Sequence, residues 1–377
     1  MTLSPTFPLT VPLVDLGAQQ EEIVHEVEDG IRKVFARTAF IGGTEVTEFE
    51  QAYAGFLGVR HCVGVANGTD AVELGLRAAG VRPGGEVILP ANTFIATAEA
   101  VSRIGAVPVP VDVDPDYLLI DPARVSEAIT ANTQAIVAVD LFGQTAFVEK
   151  LKPAADRAGA VIVEDAAQAQ GASRNGRSAG TLGIVAGTSF YPGKNLGAAG
   201  DAGAVLTDDD RIAARVRLLG AHGSLVKYEH DEIGMNSRLD TIQAVVLNTK
   251  LRRLAAWNER RREAAARYLA MLQDVPGIVL PCTAEGNVDV WHLYVVRVLE
   301  RDRILAALNA AGIGAGIHYP VPMHLSGAYR HLGLCRGAFP VAEEAAATML
   351  SLPIYPHITA QQQEYVIEQL LSAMERP

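Results

Sequence analysis

The chain has 377 residues, 49% of them hydrophobic, which is enough to bury a full core and to form one large and one smaller domain. Its 43 acidic residues outnumber the 32 Lys and Arg, and the net charge of −11 without a separate basic stretch predicts no nucleic-acid partner. The cysteines Cys62, Cys282 and Cys335 are too few for a disulfide framework and form no C-x-x-C motif, so we expect no metal site.

The first residues read MTLSPTFPLTVPLVDL and lack the charged start and long apolar run of a signal peptide. No apolar run of ~18 residues follows, so we expect no membrane-spanning segment and no membrane partner. Together with the sparse cysteines, this pattern predicts a cytoplasmic protein. Residues 12–58 are predicted to form a mainly helical arm.

From about Arg60 onward, short apolar runs alternate with amphipathic stretches. The predicted strands are HCVGVAN, EVILP, AVPVPVDV, AIVAVDLFG, AVIVED, VAGTSFY and GAVLT. The predicted helices between them are GTDAVELGLRAAG, TFIATAEAVSRIG, PARVSEAIT and EKLKPAADRAG. Strands that alternate with helices form a mostly parallel sheet covered on both faces. We therefore predict an α/β large domain that, with the arm, comprises residues 1–255.

The C-terminal part begins with a long segment, 240–272, that contains no Gly or Pro and predicts one long helix or two abutting ones. Beyond it, WHLYVVRV and GIGAGIH are predicted strands, Ile304 to Ala311 is a predicted helix, and a closing helix begins at about Ala360. This pattern predicts a second, smaller α/β domain over residues 256–377.

The residues just after each strand are the first to inspect, because ligands of open α/β sheets lie beyond the carboxyl ends of the strands. After HCVGV, Gly68 and Thr69 open a predicted helix, where free backbone N–H groups and a hydroxyl can bind a phosphate. An ordinary Asn-Gly turn with a Thr cap explains the same residues, so this feature alone does not decide.

Asp165 follows the predicted strand AVIV and therefore enters the same region. One interpretation is a helix N-cap, a common place for Asp. The other is a carboxylate facing the ring nitrogen of pyridoxal phosphate, where the opposite charge keeps the ring protonated and a better electron sink. The residue by itself leaves both open.

Lys194 lies in the segment SFYPGKNLGAAGDAGA, where a strand runs into a Pro-Gly turn and a glycine-rich stretch. A surface lysine in a turn is one interpretation. The small residues on both sides, however, let a bulky ligand approach the backbone, and Ser189 can add a hydroxyl to a phosphate site. An imine with a cofactor aldehyde avoids most of the roughly 4–5 kcal/mol needed to keep a free lysine neutral at pH 7. Asp165 and Lys194, 29 residues apart on successive strand ends, reinforce each other.

At this point the sequence resembles the pyridoxal-phosphate-dependent nucleotide-sugar aminotransferases of the DegT/DnrJ type, over essentially the whole chain. The resemblance is carried by VPLVDL, VANGTDAVELGL, LPANTFIATAEA, VEDAAQAQGA, SFYPGKNLGAAGDAGAV, MNSRLDTIQAVVL, WHLYVVRV and HYPVPMHL. It implies a fold like that of aspartate aminotransferase. It also implies a homodimer in which both subunits contribute to each active site.

Carried onto the matching positions, the resemblance implies that Lys194 is the imine lysine and Asp165 the partner of the ring nitrogen. The further cofactor contacts that it implies are Gly68, Thr69 and Ser189 at the phosphate, Phe94 stacked on the ring, Gln168 near the ring hydroxyl, and Asn236 from the neighbouring subunit. The implied substrate contacts are Lys227, Tyr228, His318, Tyr319 and His324.

The activity implied is transfer of an amino group from L-glutamate to carbon 3 or carbon 4 of a thymidine-diphosphate keto-6-deoxyhexose, as in deoxyaminosugar and antibiotic biosynthesis. Some members of the family carry His in place of the imine lysine and dehydrate a sugar, so Lys194 favours transamination. Two alternatives stay open: a pyridoxal-phosphate aminotransferase of a cyclitol or another keto substrate, and a non-catalytic regulatory homologue. A Rossmann dehydrogenase is disfavoured because no G-x-G-x-x-G follows the first strand.

Overall fold

The computed structural model of the protein describes residues 9–226 and 228–375. Its strands are β1 (His61–Val65), β2 (Glu86–Pro90), β3 (Val107–Val111), β4 (Thr133–Val139), β5 (Val161–Asp165), β6 (Ser173–Arg174), β7 (Arg177–Ser178), β8 (Val185–Ser189), β9 (Gly203–Thr207), β10 (Ile278–Val279), β11 (Asn287–Val288), β12 (Tyr294–Val298) and β13 (Met349–Leu352).

The helices are α1 (Leu16–Glu21), α2 (Val24–Arg37), α3 (Thr44–Leu57), α4 (Gly68–Ala78), α5 (Ile95–Arg103), α6 (Pro122–Ala128), α7 (Val148–Ala158), α8 (Asp210–Gly220), α9 (Thr241–Leu272), α10 (Arg301–Ala310), α11 (Pro340–Thr348) and α12 (Ala360–Glu375). Two short 3₁₀ helices lie at Met323–Leu325 and Gly327–Leu332.

Seven strands form the large sheet in the order β1-β9-β8-β5-β4-β2-β3. Neighbours from β8 to β3 run parallel, whereas β9 pairs antiparallel with both β8 and β1. The sheet is therefore mixed and mostly parallel. Its parallel strands end at one edge, where a ligand-binding crevice forms in such folds. The predicted α/β fold class is confirmed.

Residues of opposite parity along β4 pack against different helical layers, as the two-residue repeat of a strand requires. Ala135 and Val137 lie in the core cluster that contains residues of α4, α5 and α8, and Ile136 lies in the cluster formed with α6 and α7. A third cluster joins α3 and the first half of α9 to the sheet at Leu206. Helices thus cover both faces, as the sequence predicts.

The C-terminal part has a three-stranded antiparallel sheet in the order β10-β12-β13. It shares one core cluster with α10, α12 and the second half of α9, including Tyr268 and Leu272. Because α9 is one unbroken helix of 32 residues, it belongs to both cores. The predicted boundary between residues 255 and 256 falls inside this helix and stays a prediction.

One predicted strand is wrong. The segment GIGAGIH makes only isolated bridges, Val11 to Ile313 and Gly316 to Ser351, in place of a continuous ladder. Its glycines explain the difference, since a side chain on Gly314 would lie 2.6 Å from the backbone nitrogen of Leu13, and glycine destabilises a strand interior. β13 occupies the sheet position beside β12. In the described part of the chain, no helix has the length and apolarity to cross a membrane.

Candidate active site

A cavity of about 870 Å³ opens at the carboxyl ends of the parallel strands. It brings together nine of the residues predicted from the sequence: Gly68, Thr69, Phe94, Asp165, Gln168, Ser189, Lys194, His318 and Tyr319. They come from the ends of β5 and β8, the starts of α4 and α5, the loop after β8, and the segment after α10. Residues predicted from separate parts of the sequence therefore line the same cavity.

Lys194 lies in the tight loop that follows β8, with its backbone N–H bonded to the carbonyl of Tyr191 at 2.8 Å. The loop returns so closely that a side chain on Gly197 would lie 2.3 Å from the carbonyl oxygen of Pro192. Burial lowers the pKa of the Lys194 amine to about 8, although the negative charge of Asp165 acts in the opposite direction. The neutral, nucleophilic form of this amine is therefore far more populated near neutral pH than in a free lysine, whose amine titrates at ~10.4.

Asp165 ends β5 and is buried, with 7% of its surface exposed. Its Oδ2 accepts a 2.7 Å hydrogen bond from the Thr97 hydroxyl, and its Oδ1 accepts a 3.3 Å bond from the backbone N–H of Ala167. Burial raises the pKa of Asp165, whereas these two bonds and the charge of Lys194 lower it. The carboxylate is thus held in the cavity wall, where a cationic group of a ligand can pair with it.

The predicted phosphate site lies where α4 begins. Asn67 caps this helix by accepting a 2.8 Å hydrogen bond from the N–H of Asp70, which leaves the N–H groups at Gly68 and Thr69 directed out of the helix end. Ser189 packs directly on Gly68, because a Cβ there would lie 2.5 Å from the Ser189 Cβ. Backbone donors and the Ser189 hydroxyl therefore converge in a cup that suits an anion.

An aromatic wall also lines this cavity. The Phe94 ring, half exposed, lies 5.0 Å from the ring of Tyr319, centroid to centroid. Gln168 accepts a 2.7 Å hydrogen bond from the N–H of Phe142, so its amide nitrogen must face the Tyr319 hydroxyl, 3.0 Å away. His318 contacts Ser351 Oγ at 2.8 Å, and burial lowers the pKa of its imidazole to about 4. This wall is therefore neutral.

Three other predicted residues lie away from the cavity of their own chain, and one is outside the described residues. Tyr228 and Asn236 are exposed on the loop between α8 and α9, and Lys227 in that loop lies outside the described residues. His324 is buried at 1% exposure, with Nε2 3.0 Å from Glu343 and its ring against Phe339. The structure does not bring His324 to the cavity, and the roles of all four residues stay predictions.

The sequence did not point to the rest of the cavity wall, which includes Thr97 and His292. Both lie within motifs that carry the family resemblance, LPANTFIATAEA and WHLYVVRV. Thr97 lies in the first turn of α5, and its hydroxyl donates a hydrogen bond to Asp165 at the end of β5. Nothing in the sequence distinguishes Thr97 from the other polar residues of this stretch, Asn92, Thr93 and Glu99.

These residues fit pyridoxal phosphate. The cup at Gly68 suits the phosphate, the ring of Phe94 suits a flat heterocycle, and the buried Asp165 suits a protonated ring nitrogen. Lys194, with its lowered pKa, suits the aldehyde carbon. Among the described residues no group of three His, Cys, Asp or Glu side chains is placed to hold a metal ion. The fold and the site together define a pyridoxal-phosphate-dependent aminotransferase.

The comparison with protein families agrees with this class. The model of the DegT/DnrJ/EryC1/StrS aminotransferase family matches residues 21–371. The chain belongs to this family.

Two relatives illustrate the similarity. The chain is 48% identical to the erythromycin biosynthesis sensory transduction protein EryC1 of Saccharopolyspora erythraea, over 96% of this chain and 99% of that protein. It is 46% identical to the dTDP-3-amino-3,4,6-trideoxy-alpha-D-glucose transaminase of Streptomyces venezuelae, over 97% of both chains.

Solved structures give the same result. DesV of S. venezuelae, solved in complex with a ketimine intermediate, has a TM-score of 0.95 at 46% identity and covers 98% of this chain and 99% of its own. NtdA of Bacillus subtilis, solved with its bound cofactor PMP, has a TM-score of 0.88 at 32% identity, with coverage of 97% and 83%.

Proposed function

We propose that this protein transfers an amino group from L-glutamate to carbon 3 of a thymidine-diphosphate 3-keto-deoxyhexose. The observation that carries the proposal is the cavity that both Lys194 and Asp165 line, in a chain 46% identical to a transaminase named for a dTDP-3-amino sugar. The sequence alone left carbon 3 and carbon 4 open. The names of the relatives favour carbon 3.

Each residue has a definite part in this reaction. Bound pyridoxal phosphate supplies the aldehyde that carries nitrogen between the two substrates and the ring that stores electrons. Asp165 keeps the ring nitrogen protonated, and the cup of Gly68, Thr69 and Ser189 holds the phosphate. Lys194 holds the cofactor between turnovers and, once its amine is free, moves protons to and from the reacting carbon.

The substrate occupies the remaining space of the cavity in this proposal. Phe94 and Gln168 contact the cofactor ring, and His318 and Tyr319 border the substrate space beside that ring. Tyr319 is hydrogen-bonded to Gln168, so this bond links the substrate space to the cofactor ring in the proposed arrangement. The predicted contacts Lys227, Tyr228 and His324 belong to the proposal as well, with Lys227 as the local positive charge for a diphosphate on a chain of net charge −11.

A homodimer with shared sites is also part of the proposal. Asn236 is exposed and lies outside its own cavity, as a residue that serves a neighbouring subunit would. The next residue, Ser237, is buried and bonded to Asp70 of α4 at 2.8 Å. The loop that carries Asn236 is thus anchored firmly beside its own phosphate cup.

A regulatory role has one observation in its favour, since the relative at 48% identity is named a sensory transduction protein. The chemistry of the cavity favours catalysis. A protein without turnover has no need to lower the pKa of Lys194 beside a buried carboxylate, which costs folding free energy.

The decisive experiment incubates the purified protein with L-glutamate and, separately, with a 3-keto and a 4-keto dTDP-6-deoxyhexose, followed by mass spectrometry of the sugar nucleotides. Lys194→Ala is the matched control. We expect an amino sugar from the 3-keto substrate and none from the control. Conversion of the 4-keto substrate alone moves the reaction to carbon 4, and conversion of neither favours a cyclitol or another keto substrate.

A further inference from the structure

Four buried polar residues next to Lys194 are linked by hydrogen bonds, three of them through their side chains and Gln170 through its backbone carbonyl. They are Gln170, Asn258, Asn195 and His292, each with 8% or less of its surface exposed. Asn195 is the residue next to Lys194, and His292 lines the cavity. None of the four was predicted from the sequence, and the reaction described above uses none of them.

Two backbone carbonyls fix how the amides of this chain are oriented. Asn258 Nδ2 donates to the carbonyl of Gln170 at 2.8 Å, and Asn195 Nδ2 donates to the carbonyl of Val290 at 3.0 Å. A carbonyl oxygen can only accept, so each amide must present its nitrogen there. The second bond of Asn195 Nδ2, 3.0 Å to Asn258 Oδ1, agrees with both orientations.

The orientation of Asn195 decides which nitrogen of His292 carries the proton. With Nδ2 already committed, Asn195 presents Oδ1 to His292 Nδ1 at 3.1 Å. An amide oxygen accepts only, so Nδ1 carries the hydrogen and donates it. Burial, followed by the positive charges of Lys194 and Arg261 and the nearby His318, lowers the pKa of His292 well below its ordinary value, so the ring is neutral. Nε2 is therefore an unprotonated acceptor.

This acceptor is free to bind a ligand. His292 lines the same cavity as Lys194, and no residue in the described part of the chain hydrogen-bonds to its Nε2. The other end of the chain is tied to the cofactor cup, because Gln170 Nε2 donates to the carbonyl of Ser189 at 2.8 Å and to that of Ala167 at 3.1 Å. The packing is close, since a Cβ on Gly171 would lie 2.6 Å from Asn258 Nδ2.

We propose that His292 is a further ligand-binding residue whose Nε2 accepts a hydrogen bond from the amino group carried by pyridoxamine phosphate, the aminated form of the cofactor. In that form the transferred amine and the freed Lys194 amine share one cavity and repel each other when both are charged. A neutral acceptor on the wall stabilises the transferred amine without adding positive charge. Asn195 and Asn258 act through His292 and are positioning residues.

Two substitutions of His292 separate its two nitrogens. In His292→Asn the side-chain nitrogen replaces Nδ1 and keeps the bond to Asn195, but the cavity acceptor is lost. In His292→Gln the side-chain oxygen replaces Nε2 and keeps the acceptor, but the bond to Asn195 is lost. The two variants therefore differ in the one atom that the proposal concerns.

The probes are pyridoxamine phosphate and 4-deoxypyridoxine phosphate, which has a methyl group in place of the aminomethyl group. Their dissociation constants are measured by titration of the full-length chain after removal of its pyridoxal phosphate. We expect His292→Asn to reduce the preference for pyridoxamine phosphate by about 3- to 10-fold, as loss of one hydrogen bond predicts, and His292→Gln to keep it within about 2-fold. Equal weakening of both probes by His292→Asn overturns the proposal.

A second measurement uses the unsubstituted chain and so does not depend on how well a variant folds. In the unsubstituted chain labelled with ¹⁵N-histidine, two-bond NMR correlations report the tautomer of each ring. A resonance pair for His292 with Nδ1 protonated at pH 7 is expected, and Nε2 protonation overturns the proposal. Neither measurement uses a sugar, so their failure is distinct from failure of the proposed reaction.

Discussion

The hydroxyl of Thr97, on α5, donates a 2.7 Å hydrogen bond to Oδ2 of Asp165, at the end of β5. Because the Thr97 proton is committed to the carboxylate, the Thr93 hydroxyl, 2.8 Å from Thr97 Oγ1, is the donor in that second contact. Thr93 and Thr97 thus form a chain of two hydrogen bonds that ends on the Asp165 carboxylate. The bond lowers the pKa of Asp165 against burial, which raises it.

Thr97→Val should weaken cofactor binding and shift its pH dependence. Loss of the bond removes a partner of the ionised carboxylate and raises the pKa of Asp165. As the pH falls, the carboxylate is therefore protonated, and cofactor binding is lost, at a higher pH than in the unsubstituted chain. We expect the dissociation constant of pyridoxal phosphate at neutral pH to rise about 10-fold, the usual effect of a hydrogen bond to a charged group. Thr93→Val, one bond further away, is the control and should change it less. Equal effects would assign the loss to packing.

Gly68→Ala should disrupt the phosphate cup. The added Cβ would lie 2.5 Å from the Ser189 Cβ, so either α4 or β8 must move. We expect a loss of about 1–3 kcal/mol in the free energy of unfolding and at least a roughly 10-fold weaker affinity for pyridoxal phosphate. Gly55→Ala in α3 is the control, because no atom lies within 4 Å of its Cβ position. Denaturant titration and cofactor titration check both variants, and a cup unaffected by Gly68→Ala would place the phosphate elsewhere.

The sequence predicts the parts of this molecule that depend on neighbours in the chain. Alternating apolar runs place the strands of the large sheet, and strand-end positions place Asp165 and Lys194 at one edge. These features follow from local periodicity and from the rule that parallel strands end together.

The parts that the sequence did not predict depend on contacts between distant residues. Thr97 and Asp165 are 68 residues apart, and His292 and Asn195 are 97 apart. Nothing local to either member shows that its partner will be there. The sheet position beside β12 has the same explanation: β13 occupies it through pairing with a segment distant in the sequence, whereas GIGAGIH makes only isolated bridges.

The capture of pyridoxal phosphate by the cofactor-free chain should become faster as the pH rises through about 8. The pKa of Lys194 is lowered to about 8 by burial, and only the neutral amine attacks an aldehyde. Below this pH the amine is protonated and capture slows about 10-fold for each pH unit. Stopped-flow absorbance of cofactor binding across a range of roughly pH 6 to 9.5 measures the midpoint.

Asp165→Asn tests the cause of that midpoint. The charge of Asp165 raises the pKa of Lys194, so its removal should shift the midpoint of capture to lower pH. The side chain stays nearly the same size, and its oxygen can still accept from Thr97. An unchanged midpoint would mean that the two groups do not interact across the cavity. Turnover of this variant should fall strongly at every pH, since the ring nitrogen loses its ionised partner.

Mixing two variants, one without the imine lysine and one impaired at Asn236, tests whether the active sites are shared. Lys194→Ala lacks the imine lysine, and Asn236→Ala lacks the residue that we expect to reach the neighbouring subunit's phosphate. A mixed dimer then has one site with both residues intact, so equal mixing with subunit exchange should restore roughly a quarter of the sites. If Asn236 served its own chain, each site of the mixed dimer would lack one residue and mixing would restore nothing. Activity of the mixture, compared with each variant alone, therefore decides between a shared and a self-contained site.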